Sequence, residues 1–247
     1  MSDRRPPLAR ARMLLVVVAV TTAALIATAA GQANPTAPPA AARDLAQIYF
    51  AGALTRAEVL SYVGRVEHDY RIDEGRVVAV RPNAIDLLER DGTRQTIAIG
   101  PQTVIAGVGH LFAPNSVARG TRVVAIRDGG GPATQIRPSS AARVMGRAFF
   151  GTTLVRAEVL NYQGKTLHDY RIDEGRVVAI KPTSVTLLER DGTRQTISVT
   201  PATAVWMGGQ QVDQSAVTRG LTAITIREGG GPAEQIMLAA GLLTGRR

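Results

Sequence analysis

One unit of sequence is written twice. From Arg56 to Ile136 the chain aligns on Arg156 to Ile236 at a constant offset of 100 residues, without a gap and with more than half the positions identical. "RAEVL" recurs at 56 and 156, "LLERDGTRQTI" at 87 and 187, and "GGGPA" at 129 and 229. Whatever fold is adopted must accommodate two near-copies of itself. A solenoid buries its core by stacking three or more shorter units, so two copies of this length predict two units that each enclose a core. The 247-residue chain has room for both.

Within a unit the hydrophobic period is near two, the signature of half-buried strands. In "VEHDYRID" the alternation puts His68, Tyr70 and Ile72 on one side and Asp69, Arg71 and Asp73 on the other. The longer phrase "HDYRIDEGRVVAV" returns as "HDYRIDEGRVVAI" at 168, and is expected to be a central hairpin turning at Glu74-Gly75. Asp91-Gly92 predicts a tight type I′ reversal. The "GGGP" stretch predicts another, and "NSVARG" has room for a short helical turn. Six or seven short strands per unit make the predicted fold class all-β: two tandem small barrels or sandwiches. Aromatics are only 4% of the chain, so the core is expected to be Val, Ile, Leu and Ala. Tyr49-Phe50 and Phe149-Phe150 keep their aromatic character at the same offset and are expected to plug each barrel or pack at the seam.

Residues 1–30 read as an address rather than as fold. Arg4, Arg5, Arg10 and Arg12 precede an uncharged apolar run from Met13 to Ala30, and Ala27-Thr28-Ala29 fits a small-residue cleavage pattern. This predicts an apolar helix serving as a signal peptide or a retained anchor, with the remainder exported. A Pro/Ala-rich spacer follows over 31–43. The units are assigned to 48–138 and 148–238, separated by a linker at 139–147 and followed by a tail at 239–247.

Charge and cysteine content narrow the function. The net charge is +9, and all but Lys165 and Lys181 of the 29 basic residues are arginine. Such a surface attracts polyanions, and for an exported chain these are envelope polymers or anionic lipid; another envelope protein is the remaining class of partner. There is no cysteine, which excludes disulfides, thiolate metal sites and a cysteine nucleophile.

The candidate site residues follow from the repeated phrase. His68, Asp69, Asp73 and Glu74 are metal-ligating types, but alternation turns His68 away from the two aspartates, so they do not converge. The acids are expected instead to pair with Arg71 and Arg76 on the surface. No G-x-S-x-G occurs, and the third histidine, His110, has Gln210 at its counterpart position. "DGGGPA" lacks the Lys-Ser/Thr of a phosphate-binding loop. No catalytic residue, cofactor or metal is therefore assigned. Binding candidates are Tyr62, His68, Tyr70 and Arg71 with their copies Tyr162, His168, Tyr170 and Arg171. His110 and Phe112 join them from the stretch where the copies differ most, 106–118 against 207–218, with Trp206 at its edge. Two alternatives carry their own criteria. An enzyme with an inter-domain site requires His68 and His168 to line one cleft. A single-strand nucleic-acid module requires Tyr62 and Tyr70 exposed on one face beside arginines, and export argues against it.

The segments "GRVVAV", "LLERDGTRQTI" and "RGTRVVAIRDGGGPA" give the unit a resemblance to small exported β-barrel domains of unknown function in high-GC Gram-positive bacteria. It covers roughly 74–137 and 174–237. The resemblance implies an OB-like barrel outside the cytoplasm, with no catalytic residues to transfer. The expectation is an exported, non-catalytic protein that binds or scaffolds at the cell envelope.

Overall fold

The structure is a computed structural model that describes residues 54–105, 117–139 and 153–239. The first repeat supplies β1 (Leu54–Val63), β2 (Val66–Arg81), β3 (Ala84–Glu89), β4 (Arg94–Ile105), β5 (Arg122–Asp128) and β6 (Ala133–Pro138). The second supplies β7 (Thr153–Gln163), β8 (Thr166–Lys181), β9 (Ser184–Leu188), β10 (Arg194–Ser198) and β11 (Ala204–Met207). It continues with β12 (Gln210–Val212), β13 (Thr222–Glu228) and β14 (Ala233–Leu238). A 3-10 turn at Gln214–Ala216 is capped by the Asp213 carboxylate, which accepts from Ser215 N–H. The described residues are all-β, as the alternating pattern predicts, and their strands form one mixed sheet. The leader, the spacer, Tyr49-Phe50, Phe149-Phe150 and the tail beyond 239 lie outside the described residues, as does all but Ser139 of the linker.

The repeated phrase is not a hairpin. It lies within one 16-residue strand, β2, and again within β8. The first half of β2 pairs with β1, its middle with β5 and its second half with β3. Gly75 sits where these pairings overlap. A Cβ there would stand 2.9 Å from the Leu88 carbonyl oxygen, and at Gly175 2.8 Å from that of Leu188. The glycine is needed for close backbone approach, not for a turn. The Asp91-Gly92 reversal is real but of another type. Glu89 and Thr93 bracket three residues, Gly92 N–H donates to the Glu89 carbonyl at 3.2 Å, and only the glycine has positive φ, +88°. That is a type I turn followed by a left-handed glycine, because Asp91 never leaves negative φ.

In the first repeat, hydrogen bonding runs β2–β3–β4–β6–β5 and returns to β2, with β4 parallel to β6 and every other pair antiparallel. Val77, Ile85, Leu87, Ile97, Ala125 and Ile136 fill its interior. The second repeat follows the same order, with β4 replaced by the separate strands β10 and β11, and its interior holds Val177, Val185, Leu187, Ile197 and Ile236.

β1 and β7 pair antiparallel, joining the repeats. Glu58 stands opposite Glu158, its own copy, with Ala57 opposite Val159 and Val59 opposite Ala157. An approximate two-fold axis therefore passes between the two glutamates. Around it Val59, Ile72, Val124 and Ile126 pack with Val159, Ile172, Ile224 and Ile226 in a third core that belongs to both repeats. Burying each such side chain contributes about 1.5–3 kcal/mol.

Candidate functional site

The two faces of the central sheet separate the predicted residues. On the apolar face His68 stacks on Tyr70, ring centroids 5.3 Å apart, and its Nδ1 lies 2.7 Å from the Asp128 carboxylate. The second repeat reproduces this with His168 on Tyr170 at 5.6 Å and Glu228 in place of Asp128. Both histidines are half-buried, and each finds its acid within its own repeat. In register His68 stands opposite Ser61 and His168 opposite Asn161, and Asn161 lies across from Leu54. The histidines thus sit about seven residues apart along the β1–β7 ladder, roughly 24 Å at 3.4 Å per residue. They do not face one cleft.

Nor do the tyrosines make a single platform. Tyr62 pairs with Glu67 and shares a face with Arg71, whereas Tyr70 pairs with Val59 on the opposite, core face. Burial, followed by the Asp128 charge, raises the Tyr70 phenol above its ordinary value. Tyr170 is buried, and its phenolic oxygen accepts from Gln163 Nε2 at 2.8 Å. Tyr62 instead serves the joint between repeats. The Arg190 guanidinium stacks 4.9 Å above its ring, and Arg190 Nη2 donates to the Gly64 carbonyl at 3.0 Å. Arg90 stands 5.2 Å over Tyr162 in reciprocal fashion. Each repeat grips the β-hairpin tip of the other, as an approximate two-fold requires.

Arg71 and Arg171 belong to a charged row that crosses six strands in register: Arg127, Arg71, Glu58, Glu158, Arg171, Arg227. Like charges directly opposite each other repel, so Glu58 beside Glu158 is unfavourable alone. The flanking arginines offset it: Arg171 reaches Glu158 at 2.8 Å, while Arg71 lies 3.9 Å from Glu58. Of the acids in the repeated phrase, Asp69 stays at the surface 4.0 Å from Arg71, as expected, whereas Asp73 and Glu74 are buried, contrary to the expectation of surface pairs with Arg71 and Arg76. Asp73, 3% exposed, accepts from Arg127 at 2.7 Å, and Asp173 is paired with Arg227 at 3.2 Å. Arg56 clamps Glu89 and Asp91, and Arg156 clamps Glu189 and Asp191. Burial pushes the Glu89 and Glu189 carboxyls up to about 7, although Arg56 and Arg156 pull the other way. An open groove of about 530 Å³ beside the axis is lined by Glu58, Asp69, Arg156, Glu158, Arg171 and Arg227. Its charges are largely consumed by one another.

The third surface was not anticipated. Glu74, 1% exposed, points to the face that carries Tyr70 and Ile72, where Ser139 donates to it and Arg122 lies at 3.7 Å. In register Arg122 stands opposite Arg76, Arg76 opposite Leu88, and Leu88 opposite Arg94. One row along, Arg137 is opposite Val124, which is opposite Glu74. Arg76, Arg94 and Arg122 are exposed and Arg137 is half-buried. Among the described residues no ion pair involves Arg76, Arg94 or Arg137. In the second repeat Arg176 and Arg194 remain, but Thr222 replaces Arg122, Met237 replaces Arg137 and Ala239 replaces Ser139. Glu174 is left with neither partner, and burial pushes its carboxyl up to about 8 against the weak pull of Arg190. The signal that could have found this surface was present in the repeat alignment at 122, 137 and 139.

Trp206 is half-buried in β11, next to Met237 of β14, and its indole N–H has no hydrogen-bond acceptor among the described residues. His110 and Phe112 lie outside the described residues. Among the described residues no three of His, Asp and Glu converge as metal ligands would. No family model matches the chain, and neither a curated protein nor a solved structure is significantly similar to it.

Proposed function

We propose that the protein is an exported, non-catalytic β protein that binds or scaffolds at the cell envelope, with anionic polymers as its natural partners. In this reading each repeat is a small OB-like barrel, the first a ring of five strands whose hydrogen bonds return to β2, one pair of them parallel. The apolar helix of residues 1–30 delivers the chain across the membrane and is either removed or kept as an anchor. The two barrels act as one presenting body because β1 and β7 join them.

The observation that carries the reading is the fate of the charges. The acids of the repeated phrase lie buried or within reach of arginines, while Arg76, Arg94 and Arg137 reach solvent without an acid partner among the described residues. An overall charge of +9 then has somewhere to act. The alternatives fit less well, since the two histidines are far apart and Tyr62 and Tyr70 lie on opposite faces.

Binding of the full chain to anionic polymers, at low and at high salt, tests the proposal. Association that weakens steeply as salt rises is expected. Absence of binding even at low salt would overturn it. Fractionation of producing cells, with sequencing of the mature N-terminus, tests export; a cytoplasmic chain that keeps Met1 would contradict that part.

A further inference from the structure

The four-arginine face of the first repeat is the strongest feature left unexplained. Arg122, Arg76 and Arg94 occupy one cross-strand row, and Arg137 lies one row away. With strands about 4.8 Å apart, the row spans roughly 14 Å from β5 to β4. Arginines directly opposite each other, as Arg122 and Arg76 are, disfavour the sheet unless something neutralises them. The buried Glu74 can offset one of the four charges. The equivalent surface of the second repeat has Thr222 and Met237 instead, beside the indole of Trp206. Two near-copies of one fold therefore carry different chemistry on the same face.

We propose that this face, Arg76, Arg94, Arg122 and Arg137, is a binding site for a linear polymer of closely spaced phosphates, and that the second repeat lacks it. The proposal rests on the polyanion reading above and narrows it to one site and one chemistry. A phosphate offers more acceptor oxygens than a carboxylate, so one group can bridge two guanidiniums a strand apart. The exposed row extends along the sheet rather than closing into a pocket, which suits a chain of anions better than one small ion. Glu74 and Ser139 sit beneath the arginines, where Glu74 lies within reach of Arg122 and helps hold its guanidinium in place.

The test uses the full chain and fluorescently labelled inorganic polyphosphate, with binding read by anisotropy over a range of salt. The key variant is Arg122→Thr with Arg137→Met. It installs the residues that the second repeat already carries at these positions, so the fold accepts them. Its charge-matched control is Arg176→Gln with Arg194→Gln on the second repeat. The expected result is that the key variant binds about tenfold or more weakly at low salt. The slope of log affinity against log salt should fall by about 1.4–1.8, the contribution of two lost contacts. The control should stay within about twofold of the parent. Equal losses in both variants would show that net charge is read and would overturn the site. Unchanged binding by the key variant would do the same, leaving the broader reading intact. Binding to vesicles of anionic phospholipid but not to polyphosphate would replace the polymer with a membrane surface. If the parent binds no polyanion at any salt, the site and the broader reading fail together.

Discussion

Glu174→Gln should make the protein more stable at alkaline pH while leaving it nearly unchanged in acid. Glu174 is 6% exposed, and the positions that would have relieved it are Thr222 and Ala239. Its carboxyl moves from an ordinary 4.5 to about 8, chiefly because burial penalises the ion. Between those values the folded chain holds a proton that the unfolded chain has released. Stability is therefore complete below about 4.5 and is lost as pH climbs through about 8. The rise from 4.5 to about 8, at about 1.36 kcal/mol per pH unit, sets an upper bound of roughly 5 kcal/mol. Glutamine mimics the protonated acid, so the variant should match the parent to within about 1 kcal/mol at pH 4.5 and exceed it by several at pH 9. With a urea slope of about 2 kcal/mol/M, the midpoints should separate by up to about 2.5 M in alkali. Trp206, the single tryptophan, lies in the same repeat and reports the transition by fluorescence. Parallel midpoint-versus-pH curves for parent and variant would refute the reasoning, since they would mean that Glu174 ionises without cost. Glu74→Gln should gain less, because Arg122 and Ser139 already meet that carboxylate.

Three further substitutions test the rest of the fold. Arg56→Ala strips the partner from the buried Glu89 and should destabilise by about 3 kcal/mol in urea titration near pH 8, and less near pH 5, where Glu89 is protonated; a loss independent of pH would contradict the clamp. Gly75→Ala drives a methyl against the Leu88 carbonyl and should cost about 1–3 kcal/mol, and a neutral result by thermal unfolding would mean that β2 is not held close to β3 there. Ile72→Ala opens the core shared by both repeats and should cost about 2–5 kcal/mol. Hydrogen exchange should register that loss in the strands of both repeats, and a loss confined to the first would argue against a common core.

How much of this was legible beforehand depended on whether a residue's role was local. Alternation correctly divided His68, Tyr70 and Ile72 from Asp69, Arg71 and Asp73, because a strand's side chains can point only two ways. The all-β class followed from the same pattern. Gly75 misled because a glycine after an acid looks the same whether it turns the chain or admits a neighbouring backbone, and only the position of Leu88 decides. Asp91-Gly92 was correctly placed as a reversal, but its turn type depended on the φ of Asp91. The joint through Glu58 and Glu158 was invisible, since nothing in "RAEVL" says that the strand pairs with its own copy. The arginine face was hidden differently. Its residues come from β2, β4, β5 and β6 and meet only through strand register, although their loss in the second copy is plain at Thr222 and Met237.

Arginine-selective chemical labelling of the full chain, with and without polyphosphate and read by mass spectrometry, tests the central claim most directly. Protection should concentrate on Arg76, Arg94, Arg122 and Arg137, while Arg176 and Arg194 label as they do in the free protein. Protection spread evenly over both repeats, or absent from the first, would contradict it.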